Sequence, residues 1–212
     1  IHAEAYSLLN EELGLDNFAE FLEDETTMAK IENLMNVKTS HQGDPNWHDV
    51  AKSLAIFSAF TEGVNLFSSF AVLLSFKMRN KLKGVGQIVE WSIRDESLHS
   101  EAGCWLFRTL LKEYEEFNTP ELKADIEEAA RLSLKLELDF IEKVYEKGEL
   151  EGCSQYELVN FIKHRTNTKM GDLGYEPIVD GIDMDAVRSM SWFDSLSAGK
   201  QHTDFFANRV TN

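Results

Sequence analysis

From Ser53 to Phe76 the chain runs for 24 residues with a single charge, Glu62, near the middle. A stretch that long and apolar belongs either in a bilayer or at the centre of a protein core. The lone carboxylate separates the two. A charge at the middle of a membrane helix costs about 2.5–3.5 kcal/mol on insertion scales, and the chain holds no second span to accompany it. A buried helix from about Trp47 to Lys77 is therefore expected, and no membrane association. In a core, an ionised Glu62 without a cation is costly.

The second constraint lies 34 residues on, in Arg94-Asp95-Glu96-Ser97-Leu98-His99, where Glu96 and His99 stand at the i, i+3 spacing that puts both on one helix face. The basic segment from Lys77 to Gly86 reads as a hairpin turn, with a helix from about Val85 to Phe117 beyond it. The midpoint of Glu62 and Glu96 is residue 79, at the edge of that turn. In an antiparallel pair, residues equidistant from the turn meet at one depth. With a rise of about 1.5 Å per residue, a small error in the turn centre moves them only a few ångströms apart. Single carboxylates on some helices and ExxH motifs on others are how helical bundles build dinuclear metal sites.

Composition fits one all-α domain: 212 residues, 43% hydrophobic, three prolines and little that reads as strand. A net charge of −16 leaves no excess of Lys and Arg to neutralise phosphates, so no nucleic-acid partner is expected. Cys104 and Cys153 are far apart and in no metal-binding spacing, which fits a reducing, cytoplasmic setting. The opening Ile-His-Ala-Glu-Ala-Tyr is helical in pattern with no N-cap before it, as in a chain cut within a helix. On that helix His2 and Tyr6, at i, i+4, share a face; alone, the pair fits packing as well as chemistry.

Further helices are expected over about Ala19 to Val37, from Pro120 with Thr119 as N-cap to about Lys147, from about Ser154 to Met170, and briefly at Met184 to Met190. A bundle over residues 1–190 and an extended or flexible tail over 191–212, pinned by Trp192, Phe193, Phe205 and Phe206, complete the expected organisation. His41, His48, His164 and His202 lack a patterned carboxylate partner and read as surface residues.

The opening IHAEAY, the TEG at Thr61 to Gly63 followed by RDESLH, the helix around NFIKHRTNTKMGDLGY and the tail WFDSLSAGKQHTDFFANRV together resemble the small, radical-generating subunit of class I ribonucleotide reductase, over nearly all of the chain. The resemblance implies a ferritin-like helical bundle with a dinuclear metal site in its core. It makes His2 the histidine of a first ExxH, Glu62 a single carboxylate ligand, and Glu96 with His99 the second ExxH. It places Tyr6 at the radical tyrosine and Asp95 at a carboxylate that hydrogen-bonds a ligating histidine, here His2; the bland reading of Asp95 is a solvated helix charge. Two further ligands would lie upstream of Ile1, and a docking peptide beyond Asn212. Ser92 departs from the family, which commonly has a large aliphatic residue there.

The resemblance further implies two iron ions, with dimanganese or mixed manganese/iron centres as alternatives, a ribonucleotide reductase large subunit as partner, and a homodimer. Tyrosine at position 6 argues against the manganese/iron members that carry phenylalanine. Carboxylates and imidazoles suit iron and manganese. Leu66 and Phe70, four and eight residues after Glu62, would share its helix face and wall the radical site from reductants. Another dinuclear carboxylate oxidase or oxygenase, or a ferritin-like metal-binding protein, would share the bundle; Tyr6 and the aromatic tail are what such proteins do not need.

Overall fold

The computed structural model describes residues 2–12, 14, 23–36 and 46–197. Nine α-helices are present among them: α1 (His2–Glu12), α2 (Glu25–Asn36), α3 (Trp47–Ala55), α4 (Phe67–Met78), α5 (Lys83–Glu113), α6 (Pro120–Tyr145), α7 (Gln155–Asp172), α8 (Met184–Ser189) and α9 (Ser191–Ser197). No strand occurs among the described residues, and none of their helices is long and apolar enough to cross a membrane. The architecture is a ferritin-like helical bundle.

Local chemistry sets most of the boundaries. Thr119 Oγ1 accepts the Leu122 amide at 3.1 Å and Pro120 opens α6, so one orphan donor is satisfied and another is absent. Ser154 and Glu157 form a reciprocal capping box at the start of α7. Asn80 and Leu82, both with positive φ (64° and 47°), reverse the chain between α4 and α5. The hairpin turn thus sits within a few residues of its expected centre.

The long apolar run is the central layer, but it is not one α-helix. After Ala55 it becomes a π-helix, Ile56–Thr61, and Glu62 donates its amide to Phe57 O at 3.0 Å, five residues back. A turn intervenes before α4 begins at Phe67. Ala51, Ala55, Ala59, Phe60, Val64, Phe67, Ala71 and Leu74 are buried, as a core helix requires, whereas Phe57 in the π segment and Leu66 in the turn are 46% and 40% exposed. The π segment inserts a residue into the α-helical ladder, and because residues 62–66 then form a turn, Leu66 does not share a helix face with Glu62. It lines a cavity of about 310 Å³ with Lys30, Ile31 and Phe140 instead of walling the Glu62 side. Phe70 is buried, against Phe67.

Gly63 and Gly103 let α5 approach this segment closely. A Cβ on Gly63 would meet Ala59 O, Ser100 Oγ and Lys169 Cδ, and one on Gly103 would meet the Ser58 side chain. Gly103→Ala should therefore destabilise the protein: overpacking of about 1–3 kcal/mol outweighs about 1 kcal/mol gained in helix propensity. Urea unfolding of the variant should show a net loss of up to about 2 kcal/mol, and a gain in stability would refute the close packing.

The tail differs from expectation where it is described. Residues 191–197 are helical, not extended, because Phe193 is buried against Phe67 and Phe161, with ring centroids 6.0 and 5.1 Å away. The remainder, 198–212, lies outside the described residues, as do His41 and most of the connection between α1 and α2.

Candidate metal centre

Two elements bring three of the named side chains together. Glu62 comes directly after the π segment, and α5 carries Glu96 and His99 one turn apart. One ligand atom from each of the three lies within 4.8 Å of the others. His99 Nδ1 stands 3.8 Å from Glu62 Oε1, and its Nε2 stands 3.7 Å from Asp95 Oδ1. Both are ion-pair distances, longer than a hydrogen bond.

The electrostatics favour a cation. Burial raises the Glu62 carboxyl above its ordinary range, the negative charge of Glu96 raises it further, and His99 opposes the shift. The Glu62 side chain is 17% exposed and that of His99 52%, so the group has a closed end and an open end. Two carboxylates and an imidazole form a hard oxygen and nitrogen donor set, which suits iron or manganese and lacks the thiolates that favour softer ions. A divalent ion between them would remove the like-charge repulsion that lifts Glu62.

His2 and Tyr6 lie on α1, which packs against α5. Their side chains fall outside the described residues, and so does the expected pairing of Asp95 with His2. Ser92, one turn before Glu96, is buried. His48, read as a surface residue, has a partner that sequence distance concealed: its Nε2 lies 3.1 Å from Asp125, which also accepts from Lys52 Nζ at 2.8 Å. The π segment beside Glu62 has no sequence signal, since it exchanges one hydrogen-bond pattern for another within an uncharged run.

Known proteins place this arrangement in a family. The family model for ribonucleotide reductase, small chain, matches residues 1–181. A probable ribonucleoside-diphosphate reductase small subunit of Invertebrate iridescent virus 3 is 31% identical, over 100% of this chain and 59% of that protein. The ribonucleoside-diphosphate reductase subunit beta of Chlamydia pneumoniae is 23% identical, over 100% of this chain and 62% of its own length. Among solved structures, a ribonucleotide reductase subunit from Clostridium botulinum superposes with a TM-score of 0.79 at 20% identity, covering 93% of this chain and 62% of that one. This chain thus spans about three fifths of the length of such relatives. On the match of the family model to most of its length, with Glu62, Glu96 and His99 brought together at one point, the chain belongs to the ribonucleotide reductase small-chain family.

Proposed function

We propose that this chain is the core of a ribonucleoside-diphosphate reductase small subunit in which Glu62, Glu96 and His99, with His2 from α1, hold two metal ions. The observation that carries the reading is the approach of the three described donor groups to within 4.8 Å in a member of this family. Iron is the expected metal, and manganese suits the same donors. When bound, the ions supply the one-electron oxidising power drawn from dioxygen.

The chain's own residues do the rest. Glu62 and Glu96 would supply carboxylate oxygens to hold the ions, and His99 would supply an imidazole nitrogen from the open side. Tyr6, one turn from His2, gives up one electron and its phenolic proton and stores the resulting radical. Asp95 orients the His2 ring. A separate large subunit then uses the oxidising equivalent to reduce ribonucleotides, docking through residues beyond the bundle, while the small subunit pairs as a cytoplasmic homodimer.

The reading is tested by metal analysis of the full-length protein. Glu62→Gln keeps the shape but removes the charge, and should lower iron or manganese affinity by more than about a hundredfold, since losing even an outer-shell partner costs about 10–100-fold. Unchanged metal content in Glu62→Gln would overturn the assignment.

A further inference from the structure

The irregular backbone around Glu62 has a cost that the helices beside it meet in a specific way. In an α-helix each carbonyl accepts from the amide four residues on, and a buried carbonyl without a partner is costly. After the π segment, Val64 O accepts from Phe67 N and Leu66 O from Phe70 N, each at 3.0 Å. Among the backbone hydrogen bonds of the described residues, neither Gly63 O nor Asn65 O receives an amide. Both are met by cationic side chains from neighbouring helices. Arg165 Nε of α7 donates to Gly63 O, and Lys30 Nζ of α2 donates to Asn65 O at 2.8 Å.

Each cation is itself held. The Arg165 guanidinium lies over the Phe67 ring, 3.2 Å from its centroid, and desolvation there lowers its pKa to about 10. Lys30 pairs with Glu137, whose side chain is fully buried and also accepts from Ser68 Oγ; its ammonium lies 4.4 Å from the Phe140 ring centroid. Ser133 Oγ donates to the Asn65 side chain. The turn after Glu62 is thus tied to α2, α6 and α7.

We propose that Arg165 and Lys30 are positioning residues for the metal centre, a pair of cationic braces that hold the carbonyls freed by the π segment and so keep the Glu62 carboxylate turned toward Glu96 and His99. Their place at the C-terminal end of the α3 and π run suits positive charge. Without them the segment can relax toward α-helical register, and loss of the inserted residue would turn Glu62 by about 100° relative to the chain before it. The inference rests on the metal-site reading above and adds residues that contact no metal.

The test uses Co(II), whose visible absorption reports coordination geometry, titrated into the metal-free full-length protein. Four proteins are compared with the parent: Arg165→Met, Arg165→Lys, the double variant Lys30→Met with Glu137→Leu, which removes the buried charges together, and Glu62→Gln. Arg165→Met should weaken Co(II) binding by about tenfold and shift the absorption bands, with Arg165→Lys restoring most of both. The double variant should show the same change with its thermal unfolding near that of the parent. Parental affinity and spectrum in Arg165→Met would overturn the proposal. Should that variant not fold, parental binding in the double variant would overturn it equally. Loss of Co(II) in Glu62→Gln alone would leave the metal site standing and remove the braces; parental binding in Glu62→Gln would remove the metal-site reading and the braces with it.

Discussion

Replacing Tyr6 by phenylalanine in the full-length protein is expected to abolish the organic radical signal and cut ribonucleotide reduction by more than about a thousandfold, equivalent to about 4 kcal/mol, while metal loading stays at the parental level. The substitution removes only the phenolic oxygen, the one group on that side chain that can lose a proton as it loses an electron. Tyr6 lies one helical turn from His2 on α1, and α1 packs against the helix that carries Glu96 and His99. Electron paramagnetic resonance after reconstitution with Fe(II) and dioxygen, followed by turnover with the large subunit, measures both effects. A persistent radical signal in Tyr6→Phe would move the radical to another residue. Loss of metal along with the signal would make Tyr6 a structural residue.

Lys30→Ala should give the largest loss of stability. Glu137 has a fully buried side chain, and its companion Lys30 bridges α2 to α6. Removing one partner of a buried pair leaves an uncompensated charge and costs about 3–5 kcal/mol, whereas removing both is often close to neutral. Lys30→Met with Glu137→Leu should therefore recover most of what Lys30→Ala loses. The pH dependence has a definite sign. Burial raises the Glu137 carboxyl above its ordinary value of 4.5, and Lys30 is the main influence pulling it down. Between the ordinary value and the raised one, the folded protein keeps a proton that the unfolded chain releases, so stability falls as pH rises through that window. Without Lys30 the window extends upward, and the deficit of Lys30→Ala should be smaller near about pH 5 than near about pH 8 in urea unfolding of the metal-free protein. An equal deficit at both would show that Glu137 does not carry the effect.

Much of the fold could be read from local chemistry. Thr119-Pro120 and Ser154 with Glu157 mark helix starts through hydrogen bonds made within four residues, and the observed caps are those bonds. Glu62 and Glu96 could be paired because depth in a hairpin depends only on distance from the turn, and Asn80 and Leu82 place that turn close to the arithmetic midpoint. Interactions decided by distant partners were not legible. The π segment, Ile56–Thr61, carries no charge and continues the apolar run on its N-terminal side, so no change of hydrophobicity marks it. Lys30 and Arg165 resemble surface charges until the chain folds, because the carbonyls they satisfy are 35 and 102 residues away. In sequence Phe193 reads as a point anchor for an extended tail, and the pocket made by Phe67 and Phe161 is what closes a helix around it.

Anomalous scattering from crystals of the metal-loaded full-length protein would locate the two ions relative to Glu62, Glu96 and His99. Data collected at the iron edge, or the manganese edge for manganese-loaded crystals, should show two neighbouring peaks per chain, with Glu62 and Glu96 in coordination contact and His99 on one of the ions. Peaks located elsewhere, or fully loaded protein with no peak among these three side chains, would show that Glu62, Glu96 and His99 do not hold the ions.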